Sequence, residues 1–406
     1  MSAAADTHQN LIGGQGCAAR SGNHFSVPTD AGLRPWPRSD RADVQLALAS
    51  LRSGAEAWGA LDPDVRLGPL NRAWAALLAN PDPGAALASR LGLSCAEGGQ
   101  LLVDGAAGGT LDRESLASRF KEGEAPPVGS VVLIRLHWSE LLKDLFLCVA
   151  GELLAGRGVL LVSDGHVPQL AQGLADLLIG AGLPPDAWAL LHDDGQSVLR
   201  AARADPGVAG FVLSAFGSID PQDTRAPGRG FGDGVVHGTA PAWNQRLLVP
   251  RTLRVETDED PRVAARRVAC DLFGRLPSLS GQLPGMPSIV ELAPRVLSAF
   301  TSELLLILEN SEEGQALGIG SPCPWVDGGL ATYLEQTLAD GIDGGATLIH
   351  EERRPSFSGG PTSGTITRLV FTNVEREMRL LEHTCPAPVL LLRRQDPEST
   401  PIQAPS

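Results

Sequence analysis

An alternation of short apolar runs with amphipathic runs between residues 127 and 218 constrains the fold of this chain more than any other feature. Strand-length apolar runs at 130–136, 158–163, 188–192 and 208–214 alternate with helical patterns at 139–155, 167–182 and 197–204. Strands that are apolar on both faces are typical of a parallel sheet covered by helices. The alternation therefore predicts βαβ units wound into a Rossmann-type domain. An α/β domain that binds no nucleotide fits the same pattern, so the pattern leaves nucleotide binding open.

A second α/β region begins near residue 251. Helical patterns at 260–273, 295–309 and around 330–338 alternate with strand-like runs at 287–292, 347–350, 367–371 and 389–392. The segment 40–78 has apolar residues every three or four positions and is predicted to be helical. Both ends of the chain are polar and aperiodic. We therefore predict a flexible tail over 1–28, one α/β domain over 29–250, a second over 251–394, and a flexible tail over 395–406.

Charge and composition exclude several functional classes. Lys and Arg total 33 and Asp and Glu total 47, which gives a net charge of −14. Because an acidic surface repels phosphate backbones, we expect no nucleic-acid partner. The sequence has no apolar signal-peptide core and no apolar stretch long enough to cross a membrane, so we expect a cytoplasmic protein with no membrane contact. The six cysteines are widely spaced and predict free thiols.

Familiar catalytic and metal-binding motifs are missing from the sequence. The histidines form no HxxxH or HxH pair and the cysteines form no CxxC pair, so we expect no metal site. There is no GxSxG elbow and no Walker A loop. The acidic runs 193–194 and 258–260 stand at the ends of predicted elements, where carboxylates stabilise helix N-termini, and predict no catalytic dyad.

Seven short pieces of sequence, in order along about 370 residues, resemble motifs of the aldehyde dehydrogenase superfamily. The resemblance implies an α/β fold with an NAD(P)-binding Rossmann-type domain over 29–250 and a shortened catalytic-type domain over 251–394. The pieces are WGALDPDVR at 58–66, PVGSVVLI at 127–134, AGRGVLLVSDGHVP at 155–168, AGLPP at 181–185, FGS at 216–218, Gly-Gln at 281–282, and EMR at 377–379 with Pro-Val at 388–389.

The resemblance also implies a reaction, and the residue on which that reaction depends is changed. In the family a cysteine thiolate attacks the aldehyde, and the resulting adduct passes a hydride to a nicotinamide. The thiolate belongs two residues after Gly-Gln, where this chain has Pro284. Proline has no nucleophile and no backbone N–H to donate to an oxyanion. Cys270 is the nearest thiol in sequence, and we interpret it as inert packing.

Two further catalytic positions differ from the family. Trp138 and Ser139 match the tryptophan and asparagine of the family's Pro-Trp-Asn motif. Ser139 is able to donate a hydrogen bond to an oxyanion, but it also suits the N-cap of the following helix. The family's glutamate base has no carboxylate counterpart in the matching stretch 245–248. The resemblance therefore implies no catalytic residue at the family positions, which Pro284 and Ser139 occupy.

The positions that match the family's cofactor contacts have also lost their charged side chains. Val162 stands at the lysine and Gly165 at the glutamate associated with the adenosine ribose, and Thr384 stands at the glutamate that holds the nicotinamide ribose. Gly217 and Ser218 remain, and such a turn either holds a pyrophosphate or simply caps a helix. Trp138, Gly217 and Ser218 are the cofactor-binding candidates for NAD or NADP.

The chain also ends soon after Val389 and is short between residues 93 and 127, where the family has an oligomerisation hairpin. The resemblance thus argues against the family's strand-exchanged dimer. We hypothesise a degenerate member without oxidation activity that binds a partner protein or a small aldehyde-like ligand. The alternative is an active, divergent NAD(P)-dependent oxidoreductase acting on an aldehyde or oxo group.

Overall fold

A computed structural model of the chain forms two compact units, Met1–Leu247 and Leu248–Ser406, each built around its own sheet. The structure describes residues 8–29, 32–79, 111–112, 116, 126–136, 141–163, 165–194, 197–213, 251–256, 258–274, 280–282, 287–309, 311–319, 323, 329–354, 365–375, 377–382 and 387–395. No helix within these ranges has both the length and the apolar character needed to cross a bilayer.

The first unit contains a six-stranded sheet in the order β2-β1-β7-β6-β5-β8. Its elements are β1 (Asn10–Ile12), β2 (Gln15–Cys17), β3 (His24–Thr29), β4 (Gly32–Pro37), α1 (Arg41–Gly59), α2 (Pro63–Ala79), β5 (Val131–Arg135), α3 (Leu141–Leu154), β6 (Gly158–Val162), α4 (Pro168–Gly180), β7 (Trp188–Leu191), α5 (Ser197–Arg203) and β8 (Val208–Leu213). Strands β5 to β8 pair in parallel, so the predicted βαβ sheet is confirmed.

The order of these four parallel strands creates a topological switch point. The chain runs outward from β5 to β6 and β7, and then returns to place β8 on the other side of β5. Arg135 at the end of β5 pairs with Leu213 at the end of β8. In open α/β sheets, ligands bind beyond the carboxyl ends of the strands at such a reversal. The fold therefore puts a candidate binding crevice beyond β5 and β8.

The helical segment predicted over 40–78 is two helices, and local signals explain the break. Asp40 caps α1 by accepting from the backbone N–H of Ala42, and the Asp43 side chain accepts in turn from the Asp40 N–H, which completes a capping box. The break falls before Pro63, which suits the first turn of α2 because its missing N–H has no helical partner there. Trp58 near the end of α1 donates from Nε1 to the carbonyl of Leu153, 2.7 Å away, which fixes α1 against α3.

The predicted flexible tail over 1–28 is wrong for the part that the structure describes. β1 pairs with β2 and with β7, where Leu11 stands opposite Leu190, while β3 and β4 form a hairpin whose Trp36 is fully buried. β1 and β2 are only three residues long, and the alternation in β3 consists of Phe25 and Val27 alone, so the periodic signal in the sequence is weak. Each strand pairs with a neighbour close in sequence, and β1 also pairs with β7, far along the chain.

The second unit contains a five-stranded sheet in the order β11-β12-β13-β10-β9. Strands β12, β13, β10 and β9 are parallel and β11 is antiparallel to β12. Its elements are β9 (Arg251–Val255), α6 (Pro261–Phe273), β10 (Pro287–Leu292), α7 (Leu297–Glu309), α8 (Ser311–Ala316), α9 (Gly329–Asp343), β11 (Thr347–Arg354), β12 (Thr365–Thr372), a 3-10 turn (Arg379–Glu382) and β13 (Val389–Arg394). The predicted alternation of strands and helices in this region is thus present, with β9 and α8 as additions.

Strand alternation sorts the core of the second unit into two layers. Val290 and Leu392 belong to the cluster that packs against α6 and α7. Their neighbours Ile289 and Leu391 belong to the cluster on the other face, which includes Leu334 of α9. Because successive side chains in a strand point to opposite faces, helices cover the sheet on both sides. This double burial explains why β10 and β13 are almost continuously apolar.

Candidate functional site

The site residues predicted from the sequence lie outside the described residues. These are Trp138, Ser139, Gly217, Ser218 and Pro284, and the roles assigned to them stay predictions. Thr384 and the stretch 245–248 also lie outside the described residues. In the sequence, Trp138 and Ser139 follow β5, and Gly217 and Ser218 follow β8. The two pairs therefore come after the strands that flank the switch point.

The position that matches the family's ribose-binding lysine has been absorbed into the core. Val162 is the last residue of β6, pairs with Leu191, and is 2% exposed. It packs with Leu133, Leu160 and other apolar residues in one cluster. A side chain in this place has no polar atom and no route to a ribose hydroxyl.

The position that matches the family's ribose-binding glutamate has no room for a side chain. A Cβ placed on Gly165 would lie 2.6 Å from Cα of Asp194 and 2.9 Å from its Cβ. The first of these atoms is backbone, so a side chain at 165 would require the loop after β7 to move. The two described positions that the resemblance matches to the family's adenosine contacts therefore offer no polar side chain to a ligand.

A buried histidine at the end of β7 organises the same edge of the sheet. Nδ1 of His192 lies 2.9 Å from the Ser163 hydroxyl, and its backbone N–H donates to Oδ1 of Asn10, 3.1 Å away. Its ring contacts Trp36 edge-on with centroids 4.8 Å apart. The pKa of His192 is lowered to about 3, mainly because the ring is buried; a hydrogen bond with the Gln9 backbone opposes the shift and the charge of His8 adds to it. His192 is therefore neutral near pH 7 and serves as a structural connector.

This neutral histidine is expected to make the first unit acid-sensitive. Between its ordinary pKa of 6.5 and its folded-state pKa of about 3, the unfolded chain binds the proton more tightly. The free energy of unfolding should therefore fall as pH falls through this window, by about 2 kcal/mol at pH 5. Urea denaturation from pH 7 to pH 5 should show that slope in the native sequence and a smaller slope in His192→Gln. The exposed His24→Gln is the control, and an equal slope in all three proteins would contradict the assignment.

In the second unit, two pieces of the sequence resemblance come into contact. Gly281 has φ +84°, and a Cβ at this position would lie 2.8 Å from Cα of Pro388. Ser280 before it has φ 57°, and both Ser280 and Gln282 are 1% exposed. The Gly-Gln piece at 281–282 is thus packed directly against the Pro-Val piece at 388–389. Only glycine fits this close approach of two backbones.

Sequence reasoning missed a third residue at this contact. The backbone N–H of Cys323 donates to the Ser280 hydroxyl, 2.9 Å away, and Cys323 is 3% exposed. The Cys323 thiol is therefore buried beside the turn that, in the resemblance, leads to the nucleophile. No sequence signal joins Cys323 to that turn, because 43 residues separate them.

The other thiol near this region is held in its protonated form. Sγ of Cys270 donates to the carbonyl of Leu317, 3.2 Å away. Burial raises the pKa of the Cys270 thiol, and the charge of Asp271 raises it further. Because the thiolate is the nucleophile, Cys270 is poorly suited to attack a carbonyl. Within the described residues, no group of three or more His, Cys, Asp or Glu side chains is arranged to hold a metal ion.

Comparisons with known proteins find similarity to aldehyde dehydrogenases. No family model matches the chain. It is 26% identical to phenylacetaldehyde dehydrogenase of Pseudomonas fluorescens over 414 aligned residues, covering 95% of this chain and 78% of that protein. A probable aldehyde dehydrogenase of Mycobacterium bovis is 40% identical over 67 residues, which cover 16% of this chain and only 13% of that relative.

The solved structures agree with this result. Aldehyde dehydrogenase C of Pseudomonas syringae, in a mutant form bound to NAD+ and octanal, superposes with a TM-score of 0.75 at 20% identity, covering 96% of this chain and 80% of that chain. The α/β fold with two mixed, largely parallel sheets is therefore that of the aldehyde dehydrogenases, as predicted. In fold, and by distant sequence similarity, the chain resembles the aldehyde dehydrogenase superfamily.

Proposed function

We propose that this superfamily member does not oxidise aldehydes and acts as a binding or scaffold module for a partner protein or a small aldehyde-like ligand. The observation that carries the proposal is the contact of Gly165 with Asp194, which occupies the place of a ribose-binding side chain. Buried Val162 adds a second loss at the same edge. Ribose hydroxyls left without partners in a buried site cost about 1–3 kcal/mol each.

The thiols of the chain support the same proposal. Pro284 stands at the nucleophile position and has no group able to attack a carbonyl. Cys270, the nearest thiol in sequence, donates its proton to the Leu317 carbonyl and has a raised pKa. The described residues therefore give no support to thioester chemistry on Cys270.

Cofactor binding and turnover test the proposal together. We expect no shift in melting temperature with NAD or NADP and no reduction of either cofactor with octanal or phenylacetaldehyde. A ligand at 100 times its dissociation constant would stabilise the folded chain by about 2.7 kcal/mol, so binding would be readily visible. The control is an active aldehyde dehydrogenase under the same conditions. Turnover above the rate without protein would contradict the proposal.

The second candidate is an active, divergent NAD(P)-dependent oxidoreductase, and the place of Cys323 favours it. This thiol is buried against Ser280 in the turn that leads to the nucleophile position. If turnover is found, Cys323→Ala should abolish it while Cys270→Ala should not. Turnover that survives both substitutions would remove each thiol as the nucleophile.

A further inference from the structure

A single charged side chain belongs to the parallel part of the first sheet. Strands β5, β6, β7 and β8 have the sequences VVLIR, GVLLV, WALL and VAGFVL, so Arg135, the last residue of β5, is the only ionisable residue in these four strands. Strands of this kind are apolar because helices cover both faces of the sheet. Arg135 is therefore an exception that the packing of the sheet does not require.

The register of the strands puts Arg135 at the carboxyl edge of the sheet. Arg135 pairs with Val162 at the end of β6 and with Leu213 at the end of β8. Leu133, two residues earlier in β5, belongs with Val162 to the cluster that packs against α1 and α5. Because alternate residues of a strand share a face, Arg135 lies on the face of the sheet that α1 and α5 cover.

Arg135 is more accessible than the residues around it. Val162 beside it and Leu191 in β7, the next position along the same edge, are both buried. Leu136, which follows Arg135 in the chain, is buried as well. Arg135 itself is half-buried. A cationic side chain is thus within reach of solvent at an edge whose neighbouring positions are apolar and closed.

The location is one at which open α/β sheets bind ligands. Strands β5 and β8 flank the switch point, and ligands lie beyond the carboxyl ends of such strands. A guanidinium matches the oxygens of a carboxylate or a phosphate and binds them through paired, charge-assisted hydrogen bonds. Its five N–H donors allow it to serve an acceptor of the protein and a ligand at the same time.

From this placement we infer that Arg135 binds the anionic group of a small ligand, a carboxylate or a phosphate, at the carboxyl ends of β5 and β8. The inference rests on the proposed function, because it gives the chemistry of the small ligand that the chain holds. It goes further in naming the residue that selects an oxyanion over an uncharged carbonyl compound.

Thermal unfolding in the presence of anions tests the inference on the full chain. Inorganic phosphate and acetate are each titrated against sodium chloride at matched ionic strength. At least one of them should raise the melting temperature of the native chain in a saturable way, and which one does so distinguishes a phosphate from a carboxylate ligand. In Arg135→Met the apparent dissociation constant should be about ten- to a hundredfold larger, the loss expected for a hydrogen bond to a charged group.

Two further variants complete the experiment. Arg135→Lys keeps the charge but not the planar fork, so it should weaken binding less than Arg135→Met, and it provides the test if Arg135→Met does not fold. Arg52 of α1, which forms an exposed ion pair with Asp205 at 3.2 Å, supplies the control Arg52→Met, whose affinity should equal that of the native chain.

Either of two results would overturn the inference: no saturable shift in the native chain with either anion, or unchanged affinity in the folded Arg135 variants. An equal loss of affinity in Arg52→Met would also overturn it, because the effect would then follow from charge in general. None of these results would touch the proposed absence of aldehyde oxidation, which fails only if NAD or NADP binds or an aldehyde turns over.

Discussion

Arg157→Met is expected to lower the free energy of unfolding by about 3–5 kcal/mol, because it leaves a buried carboxylate without its counter-charge. Nη1 of Arg157 lies 2.5 Å from Oε2 of Glu152, and these side chains are 6% and 0% exposed. Nε of Arg157 also donates to the carbonyl of Pro126 at 2.9 Å. The pair ties the end of α3 to the start of β6 and to the chain that enters β5.

Removing both charges distinguishes the contribution of the ion pair itself from the cost of leaving one buried charge unpaired. Glu152→Leu with Arg157→Met should recover most of the loss, since a buried ion pair and well-packed apolar residues are often of similar stability. Burial raises the pKa of Glu152, so the folded chain binds this proton more tightly than the unfolded chain. The loss in Arg157→Met should therefore be largest at neutral pH and smaller in acid. Urea denaturation followed by circular dichroism measures the stability of the single variant, the stability of the double variant and the pH dependence of the single variant. If Arg157→Met were as stable as the native chain, the argument would be refuted.

Gly281→Ala is expected to destabilise the second unit by about 2–4 kcal/mol. The substitution forces a residue with a side chain into φ +84° and drives a Cβ to 2.8 Å from the Pro388 backbone. The conformational part of this cost is about 1–2 kcal/mol, and the rest comes from separating two backbones that are in contact. Because Ser280 and Cys323 are joined at the same turn, Cys323 should also become more accessible to iodoacetamide.

A second glycine isolates the steric part of this effect. Gly318 has φ +72°, and a Cβ there would meet nothing within 4 Å. Gly318→Ala should therefore cost only the conformational part, about 1–2 kcal/mol, and should leave Cys323 protected. Thermal unfolding of the two variants, with alkylation of Cys323 followed by mass spectrometry, provides the comparison. If both substitutions have the same effect, the contact between Gly281 and Pro388 contributes nothing.

The parallel sheets could be predicted from the sequence because burial on both faces leaves a local signal. The strand predicted over 287–292 has the same bounds in the structure. Its residues Ile289, Val290 and Leu292 are all buried, and this burial is what makes the run apolar in the sequence. The first 28 residues gave no such signal. There, β1 depends on β7, far along the chain, and a strand of three residues does not show which partner it will find. Pairing between distant segments is the part of the fold that a local pattern does not contain.

The same division applies to the candidate site. The sequence could show which residue types stand at the family's positions, and so it predicted that Val162 and Gly165 would hold no ribose. It could not show that Asp194 leaves no room for a side chain at Gly165, that His192 is neutral, or that Cys323 lies beside Ser280. Each of these facts joins segments that are far apart in the chain, and each depends on burial that only the folded structure creates.

The pairing of β1 with β7 has a consequence for how the first unit folds during synthesis. Asn10 and His192 are 182 positions apart and yet share a hydrogen bond. During synthesis, β1 and β2 leave the ribosome early, and the edge of β1 that pairs with β7 must wait until the βαβ strands have been translated. Contacts of such high sequence separation slow folding, and a strand that waits is exposed to pairing with other chains. The three-residue length of β1 limits that risk, because it offers a foreign strand little to bind.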